Sequence, residues 1–291
     1  MLKAVVSAMF VLGMTFAANA QSAEETTSFP VDGANVIGTL ALPDGEPAPV
    51  VLLFHGFGGS RNEMEVPSIA KGLYTYTAEQ LAAAGYASLR IDFRGSGESD
   101  GEFEDTTYSG QIADGLAAVA LLQSDARVDG TRIAIIGWSQ GGLVASAVAG
   151  RSGIPVATAI WAGLGDPEAT FTALLGPERI AAGLKTGDTP AEMPMPWGFS
   201  LYTRQPYFEE ILTMKPFEEI AAYKGPLFVA EGTEDEVIPV GTGDKFIAAH
   251  EGPEELFVRP MNHGFNVFVD MTTFDEMLDA TVAFFKPYLD S

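Results

Sequence analysis

Gly137-Trp138-Ser139-Gln140-Gly141 is a G-x-S-x-G pentapeptide between an apolar, β-branched run (Ile133, Ala134, Ile135, Ile136) and a small-residue run of helical character (Gly142, Leu143, Val144, Ala145, Ser146, Ala147, Val148). Strand, sharp turn and helix in that order raise a serine hydroxyl above a sheet edge, where it can become a nucleophile. The bare pentapeptide means little, since with glycine near 7% of average usage it arises by chance on the order of once in ten chains of this length. Its flanks, and an acid and a histidine later in the chain, give it weight.

Outward from this turn, strands and helices alternate. Thr26 to Val31 and Asn35 to Leu42 read as two short strands around an Asp32-Gly33 turn. Val50 to Phe54 and Ala87 to Ile91 are apolar runs of the kind buried within a sheet, and Ile133 to Ile136, Val156 to Trp161, Leu227 to Ala230 and Leu256 to Val258 read as further strands. Helices are expected at Tyr76 to Ala84, Tyr108 to Gln123, Gln140 to Gly150, Thr242 to His250 and Phe274 to Leu289. Such alternation predicts an α/β fold with a mostly parallel, doubly wound sheet. Ligands of such sheets bind beyond the carboxyl ends of the strands. Residues 163–225 interrupt the pattern: they are rich in proline and bulky apolar residues and carry no clear strand. A structureless loop of that length does not fit a compact domain, so a mainly helical cap is expected there.

The 291 residues suit one large domain with an insertion. Hydrophobic residues make up 47% and charged residues 19%, enough for a sizeable core. Cysteine is absent, so thiolate nucleophiles, disulfides and zinc-cysteine sites are excluded, and covalent catalysis needs another nucleophile. A formal charge of -23 argues against nucleic acid and anionic membranes as partners. No clustered metal-ligand spacing appears, and the Gly-rich loop Asp92 to Gly101 is not a phosphate-binding motif, so no metal or cofactor is expected. Asp92 and Arg94 are expected to pair and shape the edge of the site. Residues 1–20 read as a signal peptide, with Lys3, an apolar stretch from Ala4 to Ala17, and an Ala18-Asn19-Ala20 cleavage pattern. Residues 21–291 would then be the mature, secreted or periplasmic domain.

Ser139 needs a base to take its proton. The chain has three histidines. His55 precedes the Gly-rich segment Gly56-Phe57-Gly58-Gly59 and is expected to organise that loop, and His250 lies near the end of an expected surface helix. His263, in Met261-Asn262-His263-Gly264-Phe265, follows the last strand and is the expected base. Asp235, in Gly232-Thr233-Glu234-Asp235-Glu236, follows a buried strand between serine and histidine in chain order. It is the expected acid, holding the imidazole tautomer and stabilising the imidazolium. Asp166 is the alternative acid, but before Pro167 it reads as a helix cap. The oxyanion formed on attack requires preorganised donors, expected to be the backbone N–H groups of Phe57 and Gln140.

Taken together, His55-Gly56-Phe57-Gly58-Gly59, Asp92-Phe93-Arg94-Gly95-Ser96-Gly97-Glu98-Ser99, the Ser139 pentapeptide, Gly232-Thr233-Glu234-Asp235 and Asn262-His263 resemble the α/β-hydrolase superfamily. Within it the chain looks most like small bacterial carboxylesterases of the cinnamoyl or feruloyl esterase type. That resemblance implies a serine esterase acting on small-molecule esters, with an aromatic acyl group held under the cap. A peptidase or a lipid or polyester hydrolase of the same fold is the nearest rival. From another class, a catalytically degenerate hydrolase could serve as a binding module.

Overall fold

The computed structural model describes residues 23–45 and 47–291, and the expected signal peptide lies outside them. Its centre is an eight-stranded sheet in the order β1-β2-β6-β3-β7-β8-β11-β12. Strands β1 (Ala23–Val31) and β2 (Ala34–Leu42) form an antiparallel hairpin, and β2 is antiparallel to β6 (Ala87–Ile91). From β6 onward, β3 (Ala48–Phe54), β7 (Val128–Trp138), β8 (Ala157–Trp161), β11 (Leu227–Gly232) and β12 (Glu254–Arg259) pair in parallel. The chain therefore has the mostly parallel α/β sheet expected from its alternating pattern.

Parallel strands buried on both faces need apolar residues at successive positions. On β3, Val50, Leu52 and Phe54 enter one core cluster while Val51 and Leu53 enter the other. Helices α2 (Tyr108–Ser124) and α3 (Gln140–Ser152) cover the first face, and α1 (Leu73–Ala83) and α9 (Thr272–Leu289) cover the second. Most strands run a few residues past their expected bounds, and two boundaries have a specific cause. α1 starts three residues earlier, at a Gly72 N-cap that makes no side-chain capping bond and so leaves no mark in the sequence. β7 starts at Val128 because Ala48 and Pro49 pair with Val128 and Asp129 before the register jumps to Val50 opposite Ile133.

An antiparallel pair of two-residue strands, β4 (Glu65–Val66) and β5 (Lys71–Gly72), precedes α1. Residues 163–225 contain α4 (Pro167–Leu175), α5 (Pro177–Gly183), α6 (Gln205–Thr213) and α7 (Pro216–Ala222). They also contain an antiparallel hairpin of β9 (Ala191–Pro194) and β10 (Ser200–Thr203), where no strand was expected. Four-residue strands, one of them ending in Pro194, fall below what alternation can reveal. Phe171, Ile180, Met193, Tyr207, Phe208 and Ile211 join the core cluster of the α2–α3 face, so this segment packs onto the sheet domain with a shared core. The remaining helix, α8 (Thr242–Ala249), buries Phe246 with Ile220 of α7 against Ile160 and Val229. Among the described residues no helix is long and apolar enough to cross a membrane.

Candidate active site

Because β3, β7, β11 and β12 run parallel, the residues after each of them share one sheet edge. Ser139 directly follows β7 and holds φ 55° and ψ -118°, a conformation that L side chains rarely adopt. Two glycines make the turn possible. A Cβ on Gly137 would lie 2.1 Å from the Gly141 carbonyl oxygen, and one on Gly141 would lie 2.1 Å from that of Phe54. The backbone is held by bonds from Ser139 N–H to the Trp161 carbonyl (2.9 Å) and from the Gly142 and Leu164 N–H groups to the Ser139 carbonyl (2.9 Å each).

Three side chains that are distant in sequence meet at this edge. The Ser139 hydroxyl lies 3.0 Å from His263 Nε2, and His263 Nδ1 lies 2.8 Å from Asp235 Oδ2. The other Asp235 oxygen accepts from the Val237 and Ile238 N–H groups, both at 2.8 Å. A carboxylate held in this way faces an imidazole N–H, so Nδ1 carries the proton and Nε2 is left to accept from the serine. Trp138 supports the ring, with its indole N–H donating to the His263 carbonyl at 3.1 Å and its centroid 5.3 Å from the imidazole. Ser139 and His263 are each only 8% exposed, so a charge forming there is screened less than in water. Among the described residues, neither the Phe57 nor the Gln140 amide donates to a protein acceptor, which leaves both for an oxyanion.

The other expected roles divide. Asp166 caps α4, accepting from Ala169 N–H at 3.0 Å. His55 donates from Nδ1 to the Gly56 carbonyl (2.8 Å) and accepts at Nε2 from Phe93 N–H (3.2 Å), tying the loop after β3 to that after β6. Burial lowers its pKa, which favours the neutral ring these bonds require. His250, expected on a surface helix, is buried, with Nε2 2.9 Å from the Gly225 carbonyl. The apolar side of α8 extends to its C-terminus and carries the imidazole inward. Asp92 and Arg94 do not pair. Asp92 is bound by the Arg61 guanidinium and amide, and Arg94 Nε meets Asp114 at 2.6 Å. The chain turns at Arg94 and Gly95, directly after Asp92 and Phe93, and each side chain finds its partner on another element.

Glu63 was not singled out from the sequence, where it sits in the polar run Ser60-Arg61-Asn62-Glu63. In the fold it is buried with φ 56°, and Oε2 accepts from Gly56 N–H at 2.8 Å, one residue from Phe57. Burial, only partly offset by that bond, pushes its pKa up from 4.5 to about 8. With the folded value above the unfolded one, Glu63 favours folding in its protonated form. That contribution is complete below the unfolded value and is lost as pH rises through about 8. Glu63→Gln, which cannot ionise, should therefore gain stability relative to the wild type between pH 5 and 9, by about 3–5 kcal/mol. Urea unfolding at the two pH values measures this, and equal pH dependence of the two proteins would count against it.

Among the described residues no group of histidines and carboxylates could hold a metal ion. An open polar cleft of about 370 Å³, lined by Asp32, Arg94, Asp105 and Asp114, does not include Ser139 or His263. Asp32 and Asp114 are engaged there in the Arg94 ion pairs.

A model of the alpha/beta hydrolase family matches residues 50–273. The chain belongs to this family. The matched span holds Phe57, Ser139, Asp235 and His263, so the relay lies within the shared hydrolase fold. Est1E from Butyrivibrio proteoclasticus, solved with ferulic acid bound, superimposes on this hydrolase with a TM-score of 0.74 at 24% identity, covering 91% of this chain and 100% of that one. GrgF, an alpha/beta hydrolase from Penicillium sp. sh18, gives a TM-score of 0.74 at 20% identity over 92% and 100% of the two chains. At these identities the likeness establishes the fold. The quorum-quenching protein AidA of Acinetobacter baumannii is 34% identical over 95 residues, 32% of this chain and 28% of AidA. An uncharacterized 31.7 kDa protein of Escherichia coli is 32% identical over 105 residues, 36% of this chain and 34% of that protein. The chain thus spans about a third of the length of the curated relatives it matches.

Proposed function

We propose that this hydrolase is a serine carboxylesterase working through an acyl-enzyme. The observation that carries this reading is the relay from Ser139 through His263 to Asp235, at 3.0 and 2.8 Å. Ser139 Oγ attacks the ester carbonyl as His263 Nε2 takes its proton, and the oxyanion is held by the Phe57 and Gln140 amides. His263 returns the proton to the departing alcohol. Water, deprotonated by the same nitrogen, then attacks the acyl-enzyme, and Ser139 leaves with its proton restored. None of these steps calls for a cofactor.

Aromatic acyl groups are the proposed substrate class. Phe57, Phe103, Phe171 and Tyr207 form a cluster of rings between the sheet edge and the cap, with centroids 5.2–5.6 Å from that of Phe57. Ferulic acid bound to the similarly folded Est1E agrees with this choice. Purified protein should hydrolyse methyl hydroxycinnamates faster than aliphatic esters of increasing length, and a peptide amide slowest. Preference for long aliphatic esters would shift the reading to a lipid hydrolase, and preference for the amide to a peptidase. A fluorophosphonate adduct on Ser139 is expected by mass spectrometry, and its absence would favour a binding module.

Export belongs to the same proposal, with cleavage after Ala20. Mature protein should begin at Gln21, and exported protein retaining Met1 would refute the cleavage.

A further inference from the structure

We propose that Tyr207, on helix α6 of the cap, is a positioning residue that sets the oxyanion hole from outside the sheet domain. This rests on the serine-esterase reading. Tyr207 is fully buried and touches both residues whose amides are assigned to the oxyanion. Its hydroxyl donates to Gln140 Oε1 at 2.7 Å. Its ring stacks on that of Phe57, with centroids 5.2 Å apart and planes 14° apart.

The hydrogen bond begins a directed chain. Gln140 Nε2 donates to Gln111 Oε1 at 2.8 Å, and Gln111 Nε2 donates to Thr106 Oγ1 at 3.1 Å. With both amide nitrogens committed as donors, Gln140 Oε1 must accept, and the Tyr207 hydroxyl is the donor it has. Four buried polar side chains thereby fix one another, and the loss of one leaves a buried partner unsatisfied. Gln140 is the first residue of α3, where amides lack an intrahelical partner, so its N–H direction depends on how the residue is held. Phe57 is held comparably: Phe103 and Phe171 lie 5.5 and 5.6 Å from its ring, and Tyr207 covers it as a stacked plane.

The cap helix is itself anchored. Arg204 Nε meets Asp105 at 2.7 Å, Arg204 N–H donates to the Glu104 carbonyl at 3.0 Å, and Glu210 accepts from Ser109 N–H at 2.9 Å. These contacts place α6 against the start of α2. Docking of the cap therefore does more than enclose a substrate: it orients the two donors. Oxyanion donors act through their aim at a developing charge, so a small misdirection lowers kcat without weakening ground-state binding.

The experiment compares wild type, Tyr207→Phe, Gln140→Met and the double variant on p-nitrophenyl acetate, with inhibition by a phenyl trifluoromethyl ketone, whose serine adduct carries an oxyanion. Tyr207→Phe keeps the stacked ring and removes only the hydroxyl. Its kcat should fall about tenfold with KM within about twofold, and the ketone should bind weaker by a similar factor. Gln140→Met should give a comparable loss, and the double variant should be no worse than either single one. Unchanged kcat in Tyr207→Phe, a rise confined to KM, or multiplied losses in the double variant would each overturn the proposal. Should Tyr207→Phe fail to fold, as judged by circular dichroism, Gln140→Met alone decides: lowered kcat at constant KM supports the role, and normal kcat overturns it. A wild type that neither turns over esters nor labels at Ser139 would fail the esterase reading itself. An active wild type with an equally active Tyr207→Phe fails only the positioning role.

Discussion

Ser139→Ala is expected to lower kcat on a p-nitrophenyl ester by about 10⁵–10⁶-fold while the protein stays folded. In the proposed mechanism the Ser139 hydroxyl forms the acyl-enzyme. Without it, His263 Nε2 has no proton to receive, and only the oxyanion donors and substrate binding remain, worth about 10³–10⁴ over the reaction in water. Stability should not follow activity. The bonds that hold the turn, from Ser139 N–H to Trp161 and from Gly142 and Leu164 to the Ser139 carbonyl, are backbone bonds that alanine retains. Alanine carries the same Cβ as serine and meets the same cost at φ 55°. Steady-state turnover with a parallel thermal melt tests both halves. Activity above about a tenth of wild type would remove Ser139 as the nucleophile.

Asp235→Asn is expected to lower kcat by about 10⁴-fold, with little change in KM. Asp235 Oδ1 is occupied by the Val237 and Ile238 N–H groups, so a substituted asparagine places its oxygen there and its NH₂ toward His263 Nδ1. Two donors cannot share that bond. The imidazole is driven to the tautomer protonated at Nε2, which meets the Ser139 hydroxyl as a donor and cannot take its proton. Turning the asparagine over would set its NH₂ against the two amides instead. A loss smaller than about tenfold would exclude Asp235 as the orienting acid. Asp166 would not replace it as the structure stands, because its carboxylate caps α4.

Much of this site could be read along the chain because Ser139, Asp235 and His263 each follow closely on an expected strand. Strand ends are where a parallel sheet exposes backbone and side chains together, so Ser139, Asp235 and His263 stood out by position as well as by type. The residues that escaped notice lack such a local mark. Tyr207 falls in the cap among many aromatic residues, and Glu63 in a polar loop. Gln111 does carry a signal, as a polar residue beside Ile112 on the buried side of α2. Asp92 and Arg94 seemed natural partners because they are near in sequence, whereas their partners Arg61 and Asp114 lie 31 and 20 residues away.

By itself the sequence determined the class of fold, the nucleophile turn and the absence of thiol chemistry. Those follow from hydrophobic period, glycine placement and residue types, which are local properties. Tertiary structure alone decided that β3 lies between β6 and β7, that the imidazole comes within 3.0 Å of the serine hydroxyl, and that the cap reaches both proposed oxyanion donors. Strand order and side-chain approach depend on which buried surfaces pack together, an energy summed over the whole core and spread across residues far apart in the chain.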